Sequence, residues 1–349
     1  MRRNIIKLLC LGVVVFFMGT ALSQEAKGAE NVKQKKIVFK MGTIAPAHMG
    51  WSALINEVIN PGIAKATNGR GSLDWYYGAQ MGEEQQILAK MINGQLQGGG
   101  FSGRGMVMIC PEMSLFEIPF LFDNYDEVEY VYSIMRPRIN EWFEKRGYHL
   151  VLLAEQGFDQ IYSTKHEIRT FDDIKKSRFQ TWYGPMEEMT LKALGTSPIP
   201  ISPTEISSAV RTGICDALIS PAIWAVSAQL YNAMQYLNPL RIRYSPAGGV
   251  VSLKAWNKLS KEDQDAIDNY LRSIEKEFRE EIRKINEKGI AAMYKHGMKE
   301  VKMTQAEIDA FKKKVLPVGD EFADKGYYSK ADLDYVKSLL AEFRSNKKK

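Results

Sequence analysis

The spacing of apolar residues along the chain predicts an alternation of strands and helices in its first half. Short apolar runs at residues 37–41 and 73–77 are typical of β-strands, and apolar residues recur at helical spacing over residues 83–92. A longer amphipathic helix is predicted over residues 126–146, with a further strand at residues 149–153. This repeated order favours an α/β fold with a largely parallel sheet and helices on both of its faces.

Helices dominate the pattern after residue 260. Strands are still predicted at residues 158–163 and 214–219, but from residue 260 to residue 296 apolar side chains recur every three or four positions. Such a stripe predicts one helix of roughly 50 Å, because an α-helix rises about 1.5 Å per residue. Two shorter helices are predicted at residues 305–315 and 330–344.

The length of the chain predicts more than one lobe. It has 349 residues, and a single hydrophobic core rarely grows beyond about 250–300 residues. We assign residues 36–154, with a return segment at about 244–258, to lobe 1 and residues 155–243 to lobe 2. Residues 260–349 then form a long helix that spans both lobes, followed by the C-terminal helices.

Residues 1–23 differ in character from the rest of the chain. A basic start at residues 1–4 precedes an apolar run at residues 5–18. A three-residue segment with small residues at its first and last positions, typical of a signal-peptide cleavage site, ends at Ser23. This order predicts a secretory signal peptide that is cleaved near Ser23. An uncleaved membrane anchor is the alternative, but the run is short for a bilayer, which needs about 20 apolar residues.

Charge and cysteine content limit the possible partners. The chain carries 47 Lys and Arg against 41 Asp and Glu, and three of those cations lie in residues 1–23, so the remainder has a net charge of only +3. Binding to nucleic acid is not expected from so weak an excess. Cys110 and Cys215 follow the signal peptide; two buried thiols are favoured, while a disulfide between them stays open.

Motifs for catalysis are missing from the sequence. It contains no Gly-x-Ser-x-Gly or Cys-x-x-Cys motif, and its four histidines never occur at the spacing of metal ligands. Residues 98–103 fit Gly-x-Gly-x-x-Gly, with Asp123 farther on, but Pro111 cuts short the helix that a dinucleotide site requires. We therefore expect neither an enzyme nor a cofactor or metal site, and we interpret the glycines as a turn that lines a cleft.

Several short segments occur in an order that points to one family. They are residues 78–84, residues 113–122, Ile174-Lys175, residues 213–217 and Pro221. This series, which covers about residues 36 to 320, resembles the solute receptors of TRAP transporters, the tripartite ATP-independent periplasmic transporters, and among them the DctP type. No single motif carries the resemblance; the order of the segments does.

The resemblance implies a fold and a set of partners. The fold would be a two-lobed α/β periplasmic binding protein with strands crossing between the lobes and a long helix spanning both. The protein would lie in the periplasm, close around one small-molecule ligand and deliver it to integral membrane transporter subunits driven by an ion gradient. Some receptors of this family are also accompanied by a periplasmic helical-repeat protein.

The residues at the family's ligand-binding positions are unusual. Receptors of this type usually hold a carboxylate ligand with an arginine. Counted from Asp173, the position of that arginine is occupied by Gln180 in this chain. Arg178 lies two residues earlier. A second frequent arginine is replaced by Asp159, and the polar run after Asp216 becomes an apolar one that ends at Ser220. The chain is therefore an atypical member that lacks the usual carboxylate-binding arginine.

These replacements change the expected ligand. A glutamine provides no charge for a carboxylate, and a buried aspartate repels an anion, so we expect a small neutral ligand in an aromatic-lined cleft. The aromatic side chains Phe179 and Tyr183 lie in the same segments. The candidate ligand contacts are Gln180, Asp159, Trp182, Phe158, Ser220, Phe101, Arg104 and Trp224.

Three alternatives stay open at this stage. Asp159 could pair with a nearby Lys or Arg instead of a ligand. An arginine displaced from its usual place, Arg104 or Arg178, could still bind an organic acid. The same fold could also present a ligand to a signalling protein instead of a transporter.

Overall fold

A computed structural model describes residues 36–182 and 184–347 of the chain. The predicted signal peptide and Tyr183 lie outside the described residues. The strands are β1 (Ile37–Thr43), β2 (Gly71–Tyr76), β3 (Gly98–Phe101), β4 (Tyr148–Ser163), β5 (Gln180–Thr181), β6 (Ile199–Pro200), β7 (Ala217–Pro221), β8 (Tyr236–Ser252) and β9 (Lys299–Glu300).

Helices account for most of the remaining structure. The α-helices are α1 (Trp51–Leu54), α2 (Asn60–Ala66), α3 (Glu84–Ile92), α4 (Gly103–Ile109), α5 (Tyr125–Glu144), α6 (Phe171–Lys176), α7 (Pro185–Leu194), α8 (Ile206–Arg211), α9 (Ala222–Ser227), α10 (Leu253–Trp256), α11 (Lys261–Lys295), α12 (Gln305–Val315), α13 (Val318–Asp324) and α14 (Lys330–Asn346). A π-helical stretch (Ile55–Ile59) joins α1 to α2, and 3-10 helices lie at Pro111–Glu117 and Leu230–Asn232.

The main sheet is mixed, not largely parallel. Its strands lie in the order β2-β1-β3-β8-β4-β7, with β9 beside β8. The pairs among β1, β2 and β3 are parallel as expected, but β8 pairs antiparallel with both β3 and β4, and β4 pairs antiparallel with β7. The prediction was wrong here because β8 returns from the second half of the chain and enters the sheet between β3 and β4.

Two long strands connect the lobes. β4 has 16 residues and β8 has 17, whereas the sequence predicted two short strands, at residues 149–153 and 158–163, in the region of β4. Gly157 interrupts the apolar pattern of β4, yet the strand continues past it through an irregular register between Glu155 and Gly157. Gly157 adopts a φ of 98°, which a residue with a side chain adopts only under strain. The two strands are the crossing segments that the family resemblance implies.

Helix α11 confirms the predicted spanning helix. Its 35 residues begin after Ser260, whose side chain accepts a hydrogen bond from the backbone of Asp263. Near its start, the hydroxyl of Tyr270 donates to the carbonyl of Val58, at 2.7 Å. Farther along, the side chain of Asn286 accepts from the backbone N–H of Ile223, at 2.6 Å. The helix therefore contacts both lobes.

The C-terminal helices and the cysteines largely follow the predictions. The two predicted helices correspond to α12 and α14, while the short α13 between them was not predicted. Cys110 and Cys215 are buried free thiols, as favoured from the sequence. No helix in the described part of the chain has the length and apolar character needed to span a bilayer.

Candidate functional site

Side chains from the two lobes predicted by the sequence contact each other. Arg104, at the start of α4, lies over the ring of Trp182, which follows β5, with its guanidinium carbon 5.0 Å from the ring centroid. The hydroxyl of Ser202 forms a hydrogen bond with the carboxylate of Glu83. By the bounds predicted from the sequence, Arg104 and Glu83 fall in lobe 1 and their partners in lobe 2, so these contacts would join the lobes. Two of the predicted contacts, Arg104 and Trp182, are thus brought into one site.

Asp159 forms a buried ion pair at the centre of the crossing strands. The antiparallel register of β4 and β8 places it opposite Arg243. The Nε of Arg243 donates to Oδ2 of Asp159 at 2.7 Å, and the hydroxyl of Ser245 donates to both carboxylate oxygens at 2.9 Å. Burial raises the pKa of Asp159, while the Arg243 charge and these hydrogen bonds oppose that rise. Pairing with a nearby arginine, one of the open alternatives, is what the structure shows.

Further carboxyl groups surround this pair. Glu117 ends the 3-10 helix Pro111–Glu117, and burial raises its pKa to about 8 although the charge of Arg243 opposes the change. The charges of Asp159 and Glu187 add to the rise. Glu84, at the start of α3, accepts from the N–H of Ser102 at 2.6 Å and from its hydroxyl at 2.9 Å.

These groups form one charged cluster between the lobes. Burial raises the pKa of Glu84 to about 7, and the charge of Arg104 partly offsets this. Glu187, on α7, accepts from the Thr181 hydroxyl at 3.1 Å and from the backbone N–H of Trp182 at 3.2 Å. We define the cleft charge cluster as Glu84, Arg104, Glu117, Asp159, Glu187 and Arg243.

Gln180 is buried and lies close in the sequence to members of this cluster. Its side-chain hydrogen bond stays within its own predicted lobe. It lies on β5, which pairs with β6. Its side-chain nitrogen donates to the carbonyl of Ile201, at 3.1 Å. This bond fixes the amide, so a ligand would meet a preset orientation of Gln180.

Two predicted aromatic contacts line a single small cavity. Phe101 on β3 and Trp224 on α9 border a space of about 50 Å³, together with the polar side chains of Thr43 and Ser102. By the predicted bounds, residues of both lobes border this cavity.

Phe158 and Ser220 make other contacts. The ring of Phe158 packs between Tyr125, at 4.8 Å, and Tyr244, at 5.7 Å, and it lies under the guanidinium of Arg241. The hydroxyl of Ser220 donates to the carbonyl of Pro221. The structure thus places both in the strand layer without joining them to Arg104 or Trp182.

Arg178 points to a different partner. Its Nε lies 3.2 Å from Oδ2 of Asp216, and its side chain is half exposed. Lys165 binds the same carboxylate at 2.9 Å. Of the two displaced arginines considered from the sequence, only Arg104 contacts a residue of the cleft.

The sequence analysis missed four members of the cluster, namely Glu84, Glu117, Glu187 and Arg243. Arg243 lies on β8, just before the return segment predicted at about residues 244–258, and no strand was predicted at its position. Glu84 and Glu187 lie on α3 and α7, and nothing in the sequence distinguishes them from exposed helix carboxylates. Glu117 did leave a signal, because it is the one charged residue in the apolar run at residues 113–122.

Nothing in the described residues suggests a metal centre. There, no group of three or more His, Cys, Asp or Glu side chains is arranged to hold a metal ion. The site combines aromatic rings, a neutral amide and paired charges between two lobes, which suits reversible binding of a small molecule.

Comparisons with known proteins agree with this geometry. The model of the family described as bacterial extracellular solute-binding protein, family 7 (DctP), matches residues 48–325. The ectoine-binding periplasmic protein TeaA of Halomonas elongata is 24% identical over 77% of this chain and 81% of its own length.

Solved structures share the fold. The sugar acid binding protein DctPAm from Advenella mimigardefordensis, in complex with galactonate, superposes with a TM-score of 0.81 at 21% identity, covering 88% of this chain and 99% of the other. A TRAP periplasmic solute-binding protein from Ralstonia eutropha with bound (S)-2-acetolactate gives 0.80 at 23% identity, covering 87% and 99%. These likenesses confirm the two-lobed α/β fold with its spanning helix.

The family match extends over most of the chain, and its members are periplasmic receptors that work with TRAP membrane subunits. The expectation that the protein is not an enzyme is confirmed by this match. The chain therefore belongs to the DctP family, family 7 of the bacterial extracellular solute-binding proteins, and is a solute receptor of the TRAP type.

Proposed function

We propose that this receptor binds a small neutral solute in the cleft between its lobes and delivers it to the membrane subunits of a TRAP transporter. The solute would have an apolar body that contacts aromatic side chains such as Trp182. One observation carries the proposal: the buried guanidinium of Arg243 is already paired with Asp159, at 2.7 Å.

That pair explains how the site can do without the usual arginine. An arginine that holds a carboxylate ligand must offer its guanidinium to the ligand, usually as a two-pronged, charge-assisted contact. In this chain the Asp159 carboxylate supplies that partner from within the protein. An acidic solute at the same place would bring a second negative charge next to Asp159 in a dry environment, which is costly.

The charge of the cleft charge cluster also supports a neutral solute. Its four carboxyl groups face two guanidinium groups, an excess of two negative charges when all are ionised. Burial raises the pKa of Glu84 to about 7 and of Glu117 to about 8, so protons on these two groups remove most of that excess near neutral pH. A neutral solute leaves this balance unchanged, whereas an acid disturbs it.

An organic-acid receptor is the second candidate. The solved structures named above hold galactonate and (S)-2-acetolactate. Arg104 could contact such an acid, since it is only partly buried and lies over Trp182 at the cleft. This candidate differs from the first in one testable respect, because acid binding would then depend on Arg104.

Matched pairs of probes separate the two candidates. We would measure the thermal unfolding midpoint of the secreted protein with carboxylic acids and their primary amides, for example phenylacetate and phenylacetamide. A ligand at one hundred times its Kd adds about 2.7 kcal/mol to stability. The proposal expects the amides to raise the midpoint and the acids not to; the reverse result, lost in Arg104→Met, establishes the second candidate.

The natural solute can be sought without choosing a probe. Native mass spectrometry of the receptor purified from the periplasm reports the mass of any solute it carries, and fragmentation reports the acidic groups. A carboxylic acid released from the wild-type protein would refute the neutral-solute proposal. Uptake of the identified solute by cells with and without the transporter subunits distinguishes transport from presentation to a signalling protein.

Two further expectations belong to this proposal. Cleavage of the signal peptide near Ser23 predicts a mature protein that begins at about residue 24, which N-terminal sequencing tests. An apolar solute would also suit a helical-repeat periplasmic partner that shields it from water; co-purification with the receptor tests that association.

A further inference from the structure

We infer that Glu117 is a ligand-binding residue, whose carboxyl group accepts a hydrogen bond from a hydroxyl or amide N–H group of the solute. The inference rests on the proposed function and narrows it to neutral solutes that carry such a donor on an apolar body.

The first support is an acceptor without a donor. Glu117 is 1% exposed, and within the described part of the chain its Oε1 atom has no hydrogen-bond partner. A buried polar atom left in this state costs about 1–3 kcal/mol, so native proteins rarely keep one without a reason. A donor from a bound molecule would remove the cost.

The second support is the direction of that oxygen. A Cβ atom built on Gly103 would lie only 2.3 Å from Oε1 of Glu117 and 3.3 Å from the carbonyl oxygen of Pro246. Two acceptors thus approach the same bare position on α4. The bare backbone of Gly103 therefore lets the Glu117 carboxyl lie against α4, and the nearby carbonyl of Pro246, itself an acceptor, supplies no hydrogen for Oε1.

The third support is the position of Glu117 between the lobes. The charges that act on it come from Glu84 in lobe 1, from Glu187 in lobe 2 and from Arg243 on a crossing strand. Closure of the lobes is what buries a solute in a two-lobed receptor. Glu117 is 1% exposed and lies where closure of the predicted lobes would bury a solute.

The chemistry selects the class of solute. A carboxylate has no hydrogen to donate and would add to the negative charge around Glu117. A hydroxyl or amide group donates to Oε1 without changing the charge of the cluster. The apolar remainder can contact the ring of Trp182, which lies under Arg104.

The test uses probes that differ only in the donor. We would measure the affinity of the secreted full receptor by calorimetry for 2-phenylethanol and its methyl ether, and for phenylacetamide and its N,N-dimethyl derivative. The donor-bearing member of each pair should bind at least tenfold more tightly. In Glu117→Met that preference should vanish, whereas Glu117→Gln, which keeps one acceptor oxygen, should retain part of it.

Matched variants show whether a lost preference for the donor-bearing probe results only from a loss of fold. Glu112→Met alters a carboxylate on the same 3-10 helix, one that binds Arg146 at 2.8 Å, and should leave the preference intact. Gly103→Ala places a methyl group 2.3 Å from the position of Oε1, so it displaces the carboxyl and should abolish the preference although residue 117 is still glutamate. Far-ultraviolet circular dichroism of each variant reports whether it is folded.

The outcomes separate this inference from the proposed function. If alcohol and ether bind equally, or if Glu117→Met and Gly103→Ala both keep the preference, the inference is overturned while a neutral solute stands. If only phenylacetate binds, the proposed function itself fails. A crystal structure with 2-phenylethanol in the cleft and only a water molecule on Oε1 would also overturn the inference.

Discussion

Replacing Asp159 by asparagine should turn the buried ion pair into an anion site. The substitution keeps the shape of the side chain but removes the charge that neutralises Arg243, which is 2% exposed. The guanidinium would then be a buried cation on which, once Asp159 is neutral, the charges of Glu187 and Glu117 still act.

The magnitude follows from the geometry of the pair. Charges 2.7 Å apart attract each other by about 6 kcal/mol at an effective dielectric constant of about 20. Ionisation of Glu117 can replace part of that attraction, and removing one partner of a buried pair usually costs about 3–5 kcal/mol. We therefore expect the free energy of unfolding of Asp159→Asn to fall by about 3–5 kcal/mol.

Urea unfolding followed by tryptophan fluorescence measures this loss. Glu188→Gln is the matched control, because Glu188 is an exposed carboxylate that pairs with Lys192 on the surface of α7, and it should leave the midpoint unchanged. The double variant Asp159→Leu, Arg243→Met replaces the pair by apolar groups and should recover most of the stability.

The functional consequence is a gain of acid binding. With Arg243 no longer neutralised, phenylacetate should raise the unfolding midpoint of Asp159→Asn and should leave that of the wild type unchanged. The reasoning is refuted if Asp159→Asn is as stable as Glu188→Gln, or if acids stabilise the wild type and the variant equally.

Three further results are expected. Burial raises the pKa of Glu117 from 4.5 to about 8, so between these pH values the folded protein keeps a proton that the unfolded chain has lost. The free energy of unfolding should therefore fall as pH rises through this window, by at most about 1.4 kcal/mol per pH unit. Urea titrations of Glu117→Met should show a correspondingly weaker dependence of stability on pH. Gly62→Ala should lower the unfolding midpoint although alanine favours helices, because its Cβ would lie 1.8 Å from the Tyr270 ring; a higher midpoint would contradict the packing of α2 on α11. Gly157→Ala should lower the free energy of unfolding, measured in urea, by more than about 1 kcal/mol. The substitution places a methyl group 2.6 Å from the Asn286 side chain at a φ of 98°. An unchanged free energy of unfolding would contradict the described path of the crossing strand.

The elements with strong periodicity were predictable, and the crossing strands were not. The stripe of apolar residues from 260 to 296 predicted α11 almost to its ends, because helical periodicity depends only on residues three or four positions apart. β4 and β8 run through Gly157 and Pro239, which interrupt the local pattern. Their continuity depends on hydrogen bonds between strands that are far apart in the sequence. A pattern read from a short stretch of sequence does not contain that information.

The sequence by itself determined the α/β class, the long spanning helix and the absence of an arginine at the position of Gln180. Only the tertiary structure decided which partner Asp159 takes. Asp159 and Arg243 are 84 residues apart in the sequence, and an antiparallel register with an irregularity after Asp159 brings them together. Local sequence reports which side chains are charged, but the energy of a charge depends on its distance from other charges and from water, and these distances are fixed only when the strands pair.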